Sequence, residues 1–232
     1  MIPLVLDFAR DVVENLPVDA PVLEVGSRPA EGQEQLAVLR GLFAADTDYT
    51  GCDIQEGPFV DRVEDVHALS FEDASFGTVL CLETLEHVAD PIRAVQEMHR
   101  VLAPGGLLAI SSQMFFPIHA HPWDYWRFTP EGFANLLKDF ESRLVVPFGF
   151  ALLPQHVFGV GVKGPCGSLT QDRLPRLDRH VRAWGAEHPV DLGPIRMTTR
   201  DLVRLAARES AVAAGRKARL YGGRALRRVG AR

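Results

Sequence analysis

Short apolar runs alternate with helix-like segments between residues 21 and 162, and this alternation restricts the fold more than any other feature of the sequence. Several runs end in glycine or an acidic residue, whereas the intervening segments carry apolar residues at helical spacing. Strands that alternate with helices build a parallel sheet with right-handed crossovers. The predicted strands are residues 21–26, 48–54, 60–66, 76–85, 107–115, 143–149 and 156–162.

Helices are predicted before and between these strands. Apolar residues repeat at helical spacing over residues 2–16, and residues 34–43 form a second candidate helix. Asp90-Pro91 and Thr129-Pro130 each combine a capping side chain with proline at the first helical position. The segment APGG at 103–106 is expected to end the helix that follows Asp90.

The last two predicted strands are joined too closely for a crossover helix, so they should be antiparallel. The sequence therefore predicts an α/β fold with a doubly wound, mostly parallel seven-stranded sheet and an antiparallel last strand. After Gly164 the chain becomes polar and rich in proline, and a helix-prone segment runs from Thr199 to about Tyr221. We expect a first domain at 1–164 and a loop with a basic, helical C-terminal extension at 165–232.

The charge of the chain is unevenly distributed. Residues 196–232 contain eleven basic and two acidic side chains, whereas the rest contains 14 basic and 28 acidic ones. An acidic body repels phosphates, which disfavours nucleic acid as a partner. No apolar run approaches the roughly 18 residues of a transmembrane segment. The three cysteines are widely spaced and indicate neither a disulfide framework nor a zinc site, which favours a cytoplasmic protein.

Four residues lie at the ends of successive predicted strands: Gly26, Asp53, Asp65 and Glu83. In an open parallel sheet, ligands bind outside the carboxyl ends of the strands, where the strand order reverses. Gly26 would let a ligand approach the backbone, and Asp53 could accept hydrogen bonds from both hydroxyls of a ribose. Asp65 with Val66 could bind an adenine. Each residue alone also fits a turn or a solvated strand end, but together they favour a nucleoside site.

Five segments, in this order, resemble class I S-adenosylmethionine-dependent methyltransferases of the large group with LEH after the fourth strand. They are VLEVGS (22–27), GCDI (51–54), EDVHALSF (64–71), FGTVLCLETLEHVADP (76–91) and RVLAPGGLLAIS (100–111). The resemblance extends from Val22 to about Val162. It implies a Rossmann-like methyltransferase fold with S-adenosyl-L-methionine as cofactor and S-adenosylhomocysteine as product.

The same resemblance implies a set of cofactor contacts. Glu24 and Gly26 would frame the methionine moiety, and the backbone of Leu82 and Glu83 would border the sulfonium. The ribose and adenine roles agree with those given above. The complete implied set is Glu24, Gly26, Ser27, Arg28, Asp53, Ile54, Asp65, Val66, Leu82 and Glu83.

The turn after the first strand departs from the family pattern, which has a second glycine two residues after the first. Here Arg28 and Pro29 follow Ser27. Arg28 could bind the cofactor's carboxylate through a charge-assisted hydrogen bond, or it could turn outward and leave a weaker site. A nicotinamide enzyme is disfavoured, because GSRPAEG lacks the G-x-G-x-x-G spacing that a pyrophosphate requires.

The segment HAHPWDYWRFTPEG (119–132) follows the fifth strand at the edge where this fold holds its acceptor. It could form a lid whose aromatic residues pack on the core and whose Asp124 and Arg127 form a salt bridge. It could instead form a pocket that excludes water and holds an anionic or hydroxylated substrate, with Arg127 as the anchor. The candidate substrate-binding residues are Trp123, Asp124, Trp126 and Arg127.

A hydroxyl acceptor needs a base, and histidine near its ordinary pKa can take a proton at neutral pH. His87 and His121 are the candidate bases and Tyr125 is a weaker one, although a lone histidine also fits a structural role. His119 and His121 are two residues apart, but no carboxylate or cysteine set accompanies them in the sequence. No metal site is therefore predicted.

The basic extension carries Arg200, Arg204 and Arg208 at four-residue spacing. This pattern fits a solvated helix face, a docking helix for a homodimer or another protein partner, or contact with an anionic surface such as lipid.

The sequence thus predicts methyl transfer to oxygen or nitrogen of a small molecule, such as a natural-product or sugar intermediate. Three lysines against 22 arginines suggest a bacterial chain from a high-GC genome. The alternative is a protein that keeps the methyltransferase fold but has lost methyl transfer, and that catalyses another reaction or serves as a subunit of a biosynthetic complex.

Overall fold

The computed structural model describes residues 3–29, 39–119, 122–150, 153–184, 189–192 and 195–198, and the short segments 200–201, 203–205 and 207–208. Contacts divide the chain into two units, Met1–Ala183 and Trp184–Arg232, which are described separately.

A seven-stranded sheet forms the centre of the first unit, in the order β3-β2-β1-β4-β5-β7-β6. Strands β1 to β5 are parallel, whereas β7 pairs antiparallel with both β5 and β6. The strand order reverses between β1 and β4. The strands are β1 (Val22–Val25), β2 (Tyr49–Asp53), β3 (Arg62–Val63), β4 (Phe76–Leu82), β5 (Leu102–Gln113), β6 (Ser142–Phe150) and β7 (Leu153–Val162). The predicted α/β fold, with seven mostly parallel strands and an antiparallel last strand, is confirmed.

Helices α1 (Pro3–Asn15), α2 (Pro91–Val101) and α3 (Pro130–Leu136) join this sheet, which lies at the centre of the apolar core. The predicted caps are present, since the Asp90 carboxylate accepts from Arg93 N–H and the Thr129 hydroxyl accepts from Gly132 N–H. Strand β4 is buried at every position, as expected for a central parallel strand. Helix α2 buries an apolar face of Ala94, Val95, Met98 and Val101.

Local predictions differ from the structure in two places of the sheet. The predicted strand 76–85 ends at Leu82, because Glu83 adopts a left-handed φ of 51° and a 3-10 turn follows at Leu85–His87. Helix α2 ends at Val101, just before the APGG segment, as predicted, but that segment lies within β5, which begins at Leu102 and not at residue 107. Phe76 pairs with Leu102 and Thr78 with Leu107, so residues 103–106 bulge out of β5 directly after the helix ends. Of the predicted helix 34–43, residues 34–38 lie outside the described residues, and Arg40–Leu42 forms a 3-10 turn.

The first unit continues beyond the expected boundary at Gly164. After a 3-10 turn at Gln171–Arg173, helix α4 (Pro175–Ala183) packs against α1. The buried Asp11 carboxylate accepts hydrogen bonds from the backbone N–H of Arg176 at 2.7 Å and of Leu177 at 2.9 Å. It also accepts from Arg176 Nη1 at 3.0 Å. This carboxylate therefore accepts hydrogen bonds from N–H groups in the first turn of α4, and it holds the segment after residue 164 against α1.

The second unit contains a hairpin where the sequence predicted a loop. Strand β8 (Pro189–Leu192) pairs antiparallel with β9 (Ile195–Thr198). Thr198 and Asp201 then form a reciprocal capping pair, in which the Thr198 hydroxyl accepts from Asp201 N–H and the Asp201 carboxylate accepts from Thr198 N–H. Residues 200–201, 203–205 and 207–208 are helical, and the rest of the predicted helix lies outside the described residues.

Among the residues that the structure describes, no helix combines the length and the apolar character that crossing a bilayer requires.

Replacement of Asp11 tests the packing of α4 on α1. We expect Asp11→Ala to lower the free energy of unfolding by about 3 kcal/mol, because it leaves buried N–H donors without a partner. Glu14→Ala is the matched control. It removes a half-exposed partner of the same Arg176 and should cost no more than about 0.5 kcal/mol. Equal losses in denaturant titrations of the two variants would contradict this account.

Replacement of Glu24 tests a buried carboxyl in β1. Glu24 is 6% exposed and accepts a 2.6 Å hydrogen bond from Tyr49 Oη. Burial raises its pKa from 4.5 to about 7, against the opposing effects of the Tyr49 hydrogen bond and the Arg40 charge. The folded protein thus keeps a proton that the unfolded chain loses above pH 4.5. Stability from this group is fully present below pH 4.5 and is lost as the pH rises through about 7.

Between pH 4.5 and 8, we expect the titration of Glu24 to lower the free energy of unfolding of the wild type by about 3 kcal/mol. Glu24→Gln, which is neutral throughout, should lack this component and should unfold at a higher denaturant concentration than the wild type at pH 8. Chevron or equilibrium titrations at three pH values measure the difference. Parallel pH profiles for the two proteins would refute the raised pKa.

Candidate functional site

The carboxyl ends of the parallel strands are tied to one another by backbone hydrogen bonds. Gly26 N–H donates to the Cys52 carbonyl at 2.8 Å, Glu64 N–H to that of Asp53 at 2.9 Å, and Glu83 N–H to that of Ser111 at 3.1 Å. The turns that follow β1, β3 and β4 therefore lie side by side along one edge of the sheet. This edge contains the β1–β4 reversal, where an open sheet binds its ligands.

Gly26 is required by its close contact with the turn after β4. Its φ is +79°, and a Cβ placed there would lie 2.1 Å from Oγ1 of Thr84. The Thr84 hydroxyl donates to the Leu82 carbonyl at 3.1 Å. Thr84 therefore occupies the position that a side chain at residue 26 would take, which is why this residue is glycine. The contact of Gly26 with a cofactor stays a prediction.

Ser27 and Arg28 turn toward the loop after β2. Ser27 is buried against Gly51, and its hydroxyl has no hydrogen-bond partner among the described residues. Arg28 is exposed, and its Nη1 donates to Oε1 of Gln55 at 2.9 Å. Its side chain lies along Gly57, where a Cβ would come within 2.8 Å of Nε. Of the two alternatives for Arg28, the structure shows the outward orientation.

Asp53 ends β2 and is half-buried. Burial raises the pKa of its carboxyl, while hydrogen bonds from the backbone of Gln55 and Arg28 and the charge of Arg28 oppose this effect. The Gln55 N–H lies 3.0 Å from Oδ1. Ile54 is next to it and exposes 57% of its surface, a large apolar area at the site edge. An acid and an exposed aliphatic side chain are thus adjacent at the tip of this strand.

Asp65 lies two residues beyond the end of β3 and is exposed. Its Oδ1 accepts from His67 N–H at 2.9 Å and lies 2.6 Å from His67 Nδ1. The backbone hydrogen bond from His67 is the main cause that lowers the pKa of Asp65. His67 Nε2 accepts from Asp90 N–H and so connects this turn to the start of α2. Val66 packs against the core beside the acid.

Glu83 follows Leu82 at the end of β4 and is anchored by three polar side chains. Ser111 Oγ donates at 2.7 Å, Gln113 Nε2 donates at 2.9 Å, and His156 Nε2 lies 3.3 Å away. Burial alone would raise the pKa of Glu83, but the His156 charge and these hydrogen bonds outweigh it and lower the pKa. The structure therefore places an ionised carboxylate at the carboxyl end of the sheet.

Glu86 is a second buried carboxyl, three residues further along the chain. Its Oε2 accepts from Ser112 Oγ at 2.7 Å, and its Oε1 has no partner among the described residues. Burial, followed by the charge of Glu83, raises the pKa of Glu86. Successive residues of β5 point to opposite faces, so Ser111 and Ser112 direct the two carboxyls to opposite sides of the sheet.

The sequence analysis missed Glu86 and its neighbours in this polar cluster. Glu86 was taken only as part of the LEH resemblance, and Ser111, Ser112, Gln113 and His156 were treated as strand residues. Polar side chains at three consecutive positions of a buried strand, residues 111–113, were the available signal. Such residues are buried only when they have hydrogen-bond partners, which indicates a polar site at that end of β5.

Asp124 and Arg127 form a bidentate ion pair. Arg127 Nη1 lies 2.6 Å from Oδ1 and Nη2 lies 2.8 Å from Oδ2. The arginine also donates to the backbone carbonyls of Phe116, Pro117 and Trp126. These hydrogen bonds hold the pKa of the Asp124 carboxyl, whose side chain is 2% exposed, far below its ordinary range. The structure thus contains the salt bridge of the first alternative, and Arg127 holds the loop together.

Three aromatic residues of the same loop remain exposed: Trp123 at 62%, Tyr125 at 49% and Trp126 at 43%. The loop is fixed to the 3-10 turn after β4, since Tyr125 N–H donates to the Glu86 carbonyl at 2.7 Å and Trp126 Nε1 donates to the Val88 carbonyl at 2.9 Å. The backbone of the loop is therefore fixed while its aromatic surfaces stay accessible. This is the combination expected of a surface that binds a planar or apolar molecule.

His87 and His119 come together beside Glu86. The two imidazole rings are 4.9 Å apart, centre to centre, and nearly perpendicular. His87 Nδ1 lies 2.5 Å from the Trp123 carbonyl, so the candidate base is next to the aromatic loop. One ligand atom from each of Glu86, His87 and His119 lies within 4.8 Å of the others. The sequence showed no carboxylate with His119, because Glu86 comes from a different part of the chain. His121 lies outside the described residues.

Comparison with known proteins agrees with this geometry. Residues 23–110 match the family model described as "Methyltransferase domain". Over 52 residues the chain is 48% identical to the ubiquinone biosynthesis O-methyltransferase of Paracidovorax citrulli, covering 22% of each chain. Over 61 residues it is 43% identical to the protein of that name from Xanthomonas euvesicatoria, covering 25% of this chain and 26% of the other. The chain thus spans about a quarter of the length of these curated relatives.

A solved structure extends the likeness to most of the sheet. The 1,6-didemethyltoxoflavin-N1-methyltransferase of Burkholderia thailandensis, solved with 1,6-didemethyltoxoflavin and S-adenosylhomocysteine, is 19% identical and has a TM-score of 0.51. The match covers 70% of this chain and 79% of that one, and at this identity it shows a shared fold. The matched family model and the strand order described above are consistent with a class I S-adenosylmethionine-dependent methyltransferase.

Proposed function

We propose that this protein transfers a methyl group from S-adenosylmethionine to an oxygen or nitrogen of a small molecule. The observation that carries the proposal is the row of acidic side chains along the sheet edge that contains the β1–β4 reversal: Asp53, Asp65 and Glu83, each followed or preceded by an apolar neighbour. The cofactor supplies an electrophilic methyl group on a sulfonium. The residues present fit the parts of this cofactor.

The nucleoside half of the cofactor matches the first two acids. The half-buried Asp53 carboxylate would accept hydrogen bonds from both ribose hydroxyls, which favour the charged form and offset its burial. Asp65, already oriented by His67, would accept from the exocyclic amine of adenine. The exposed Ile54 and the partly buried Val66 would cover the two faces of the base. Binding would thereby bury the apolar surface of Ile54.

The sulfonium half matches Glu83. This carboxylate is kept ionised by Ser111, Gln113 and His156, and an anion in a partly desolvated position attracts a cation strongly. The backbone of Leu82 and Glu83 would border the sulfonium. Glu24 bonds to Tyr49 inside the sheet, so its part in framing the methionine moiety would have to pass through water or a side-chain rotation.

The acceptor would lie against the loop at 122–128. Its three exposed aromatic residues, Trp123, Tyr125 and Trp126, support a ring-containing or glycosidic acceptor, such as a natural-product or sugar intermediate. The lone pair of the acceptor attacks the methyl carbon, the carbon–sulfur bond breaks, and sulfur leaves as the neutral thioether of S-adenosylhomocysteine. His87 would take the acceptor's proton, with His121 and Tyr125 as the other candidate bases.

The named relatives are compatible with either kind of acceptor atom. The curated ones are O-methyltransferases of ubiquinone biosynthesis, and the structural neighbour methylates a ring nitrogen according to its name. Positioning alone can contribute several kcal/mol to such a transfer, and the fixed backbone of the loop supports that mode of catalysis. A bacterial, cytoplasmic setting remains part of this proposal on the basis of composition.

A second candidate function is a methyltransferase fold that no longer transfers methyl groups. It is favoured by Thr84, which fills the space beside Gly26, and by the outward orientation of Arg28. Such a protein would act as a partner in a complex. Arg200, Arg204 and Arg208 are all exposed on the C-terminal helix and would supply a basic surface for a second subunit or another protein. S-adenosylhomocysteine binding separates the two candidates, because only the first requires it.

Asp53→Ala tests the cofactor assignment. We expect isothermal titration calorimetry to show that the variant binds S-adenosylhomocysteine at least tenfold more weakly, through loss of two hydrogen bonds to a charged acceptor. Asp46→Ala, an exposed acid in the turn before β2, is the matched control and should bind like the wild type. Unchanged affinity in Asp53→Ala would refute the ribose assignment. No binding by the wild type at millimolar ligand would favour the second candidate.

Asp124→Asn tests whether the loop is built around its ion pair. The lowered pKa means that Asp124 stabilises the fold above pH 3.8 and that this stability is lost as the pH falls. We expect the variant to lose about 3 kcal/mol at pH 7 and to exchange amide hydrogens faster across residues 114–128. Its S-adenosylhomocysteine affinity should change by no more than about twofold, because the cofactor contacts lie elsewhere.

Asp139→Asn, an exposed acid after α3, is the control for that experiment. Exchange in β6, at residues 142–150, serves as the internal reference for both variants. If exchange in the loop of Asp124→Asn matched the wild type, the ion pair would not be what fixes the loop.

A further inference from the structure

We propose that Glu86, His87 and His119 form a binding site for a divalent transition-metal ion. The cluster combines one carboxylate and two imidazoles, contributed by the 3-10 turn after β4 and by the loop after β5. Two nitrogens and one oxygen suit zinc and its neighbours in the first transition row, whereas magnesium and calcium prefer oxygen ligands alone. The inference concerns metal binding and does not depend on methyl transfer.

The three ligand atoms are close enough to converge on one ion. They lie within 4.8 Å of one another. Ligands about 2.1 Å from a tetrahedral zinc ion are separated by roughly 3.4 Å. Small rotations of the side chains would therefore bring the three ligand atoms to these distances. Both histidines are partly exposed, which leaves room for such rotations.

The surroundings of the Glu86 carboxyl are the strongest argument for a metal ion at this position. Its side chain is completely buried, Ser112 Oγ holds Oε2 at 2.7 Å, and Oε1 has no hydrogen-bond partner among the described residues. A buried carboxylate oxygen without a partner is costly, since it has lost water and gained nothing in return. A cation bound to Oε1 would remove that cost. Ser112 already fixes the plane of the carboxylate for this purpose.

The histidines have the outer hydrogen bonds that metal-binding histidines use. His87 Nδ1 lies 2.5 Å from the Trp123 carbonyl. His119 Nδ1 lies 3.3 Å from Asp124 Oδ2 and 3.2 Å from the Pro117 carbonyl. Such partners fix the tautomer and the ring orientation, so that Nε2 would bind the metal. Asp124 is itself held by Arg127, so the carboxylate that faces His119 has a fixed orientation.

Three protein ligands leave at least one coordination position for water or another oxygen ligand, which is the arrangement of catalytic rather than structural zinc sites. That position would be next to Trp123, whose carbonyl contacts His87. If the proposed methyl transfer takes place, an acceptor hydroxyl bound there would lose its proton more easily, because a metal ion lowers the pKa of a bound oxygen ligand. With metal bound, both ring nitrogens of His87 would be engaged, so the proton would pass to one of the other candidate bases, His121 or Tyr125. This last step alone rests on the proposed function.

Calorimetry with zinc chloride tests the site, using the full chain after dialysis against a chelator. We expect one equivalent of zinc to bind, and magnesium to show no heat at the same concentration. Cobalt(II) gives an independent readout, because binding to this cluster would produce visible absorption bands of an ion with nitrogen and oxygen ligands.

Two ligand variants and one control decide the outcome. Glu86→Gln keeps the shape of the side chain and the Ser112 contact, and His119→Ala removes an imidazole from the other segment. Each should weaken zinc binding by roughly tenfold or more. His99→Ala removes a histidine of α2 away from the cluster and should bind zinc like the wild type.

The proposal is overturned if the wild type binds no stoichiometric zinc, or if Glu86→Gln and His119→Ala both bind it as tightly as the wild type. Circular dichroism of each variant checks its fold. Should Glu86→Gln unfold, His119→Ala and the cobalt spectrum decide alone. S-adenosylhomocysteine binding is measured on the same samples, so that failure of the metal site and failure of the proposed function are distinguished.

Discussion

One buried and one partly buried carboxyl where the chain leaves β4 determine how this end of the molecule is organised. Glu86 is completely buried and Glu83 is partly buried three residues before it, and each has polar partners because burial of an unpaired polar group is costly. Ser111 and Gln113 donate hydrogen bonds to Glu83, whereas Ser112, which points to the other face of β5, donates a hydrogen bond to Glu86. The alternation of one strand thus separates the side of the edge that carries the Glu83 carboxylate from the side that carries the Glu86 carboxyl.

The turn after β1 shows how a family pattern can change without loss of the fold. Gly26 keeps its positive φ, but the space that its missing side chain provides is filled by Thr84, and Arg28 lies along the loop after β2. The arginine thereby connects the turn after β1 to the loop after β2, two residues beyond Asp53. The ends of β1 and β2 are thus held together without a second glycine in the turn.

The sheet could be predicted from the sequence because its signals are local. Short buried runs, Asp90-Pro91 and Thr129-Pro130 each specify an element without reference to distant residues. The site was only partly predictable. Asp53 follows directly from its strand, but Glu86, Ser112 and His119 meet only after β4 and β5 have paired. The hairpin β8–β9 and the continuation of the first unit to Ala183 also escaped prediction, since α4 depends on Asp11 of α1, far away in the sequence.

The ion pair of Asp124 and Arg127 is compatible with both alternatives for the aromatic loop, the lid with a salt bridge and the substrate pocket. A salt bridge under a lid and a substrate pocket were treated as alternatives, yet the bidentate pair fixes the backbone so that Trp123, Tyr125 and Trp126 can remain exposed without collapsing onto the core. Because Tyr125 N–H and Trp126 N–H both bond to the Glu86 carbonyl, the loop is positioned by the same turn that carries the buried carboxyls. The position of the loop therefore depends on the backbone of the turn at the end of β4.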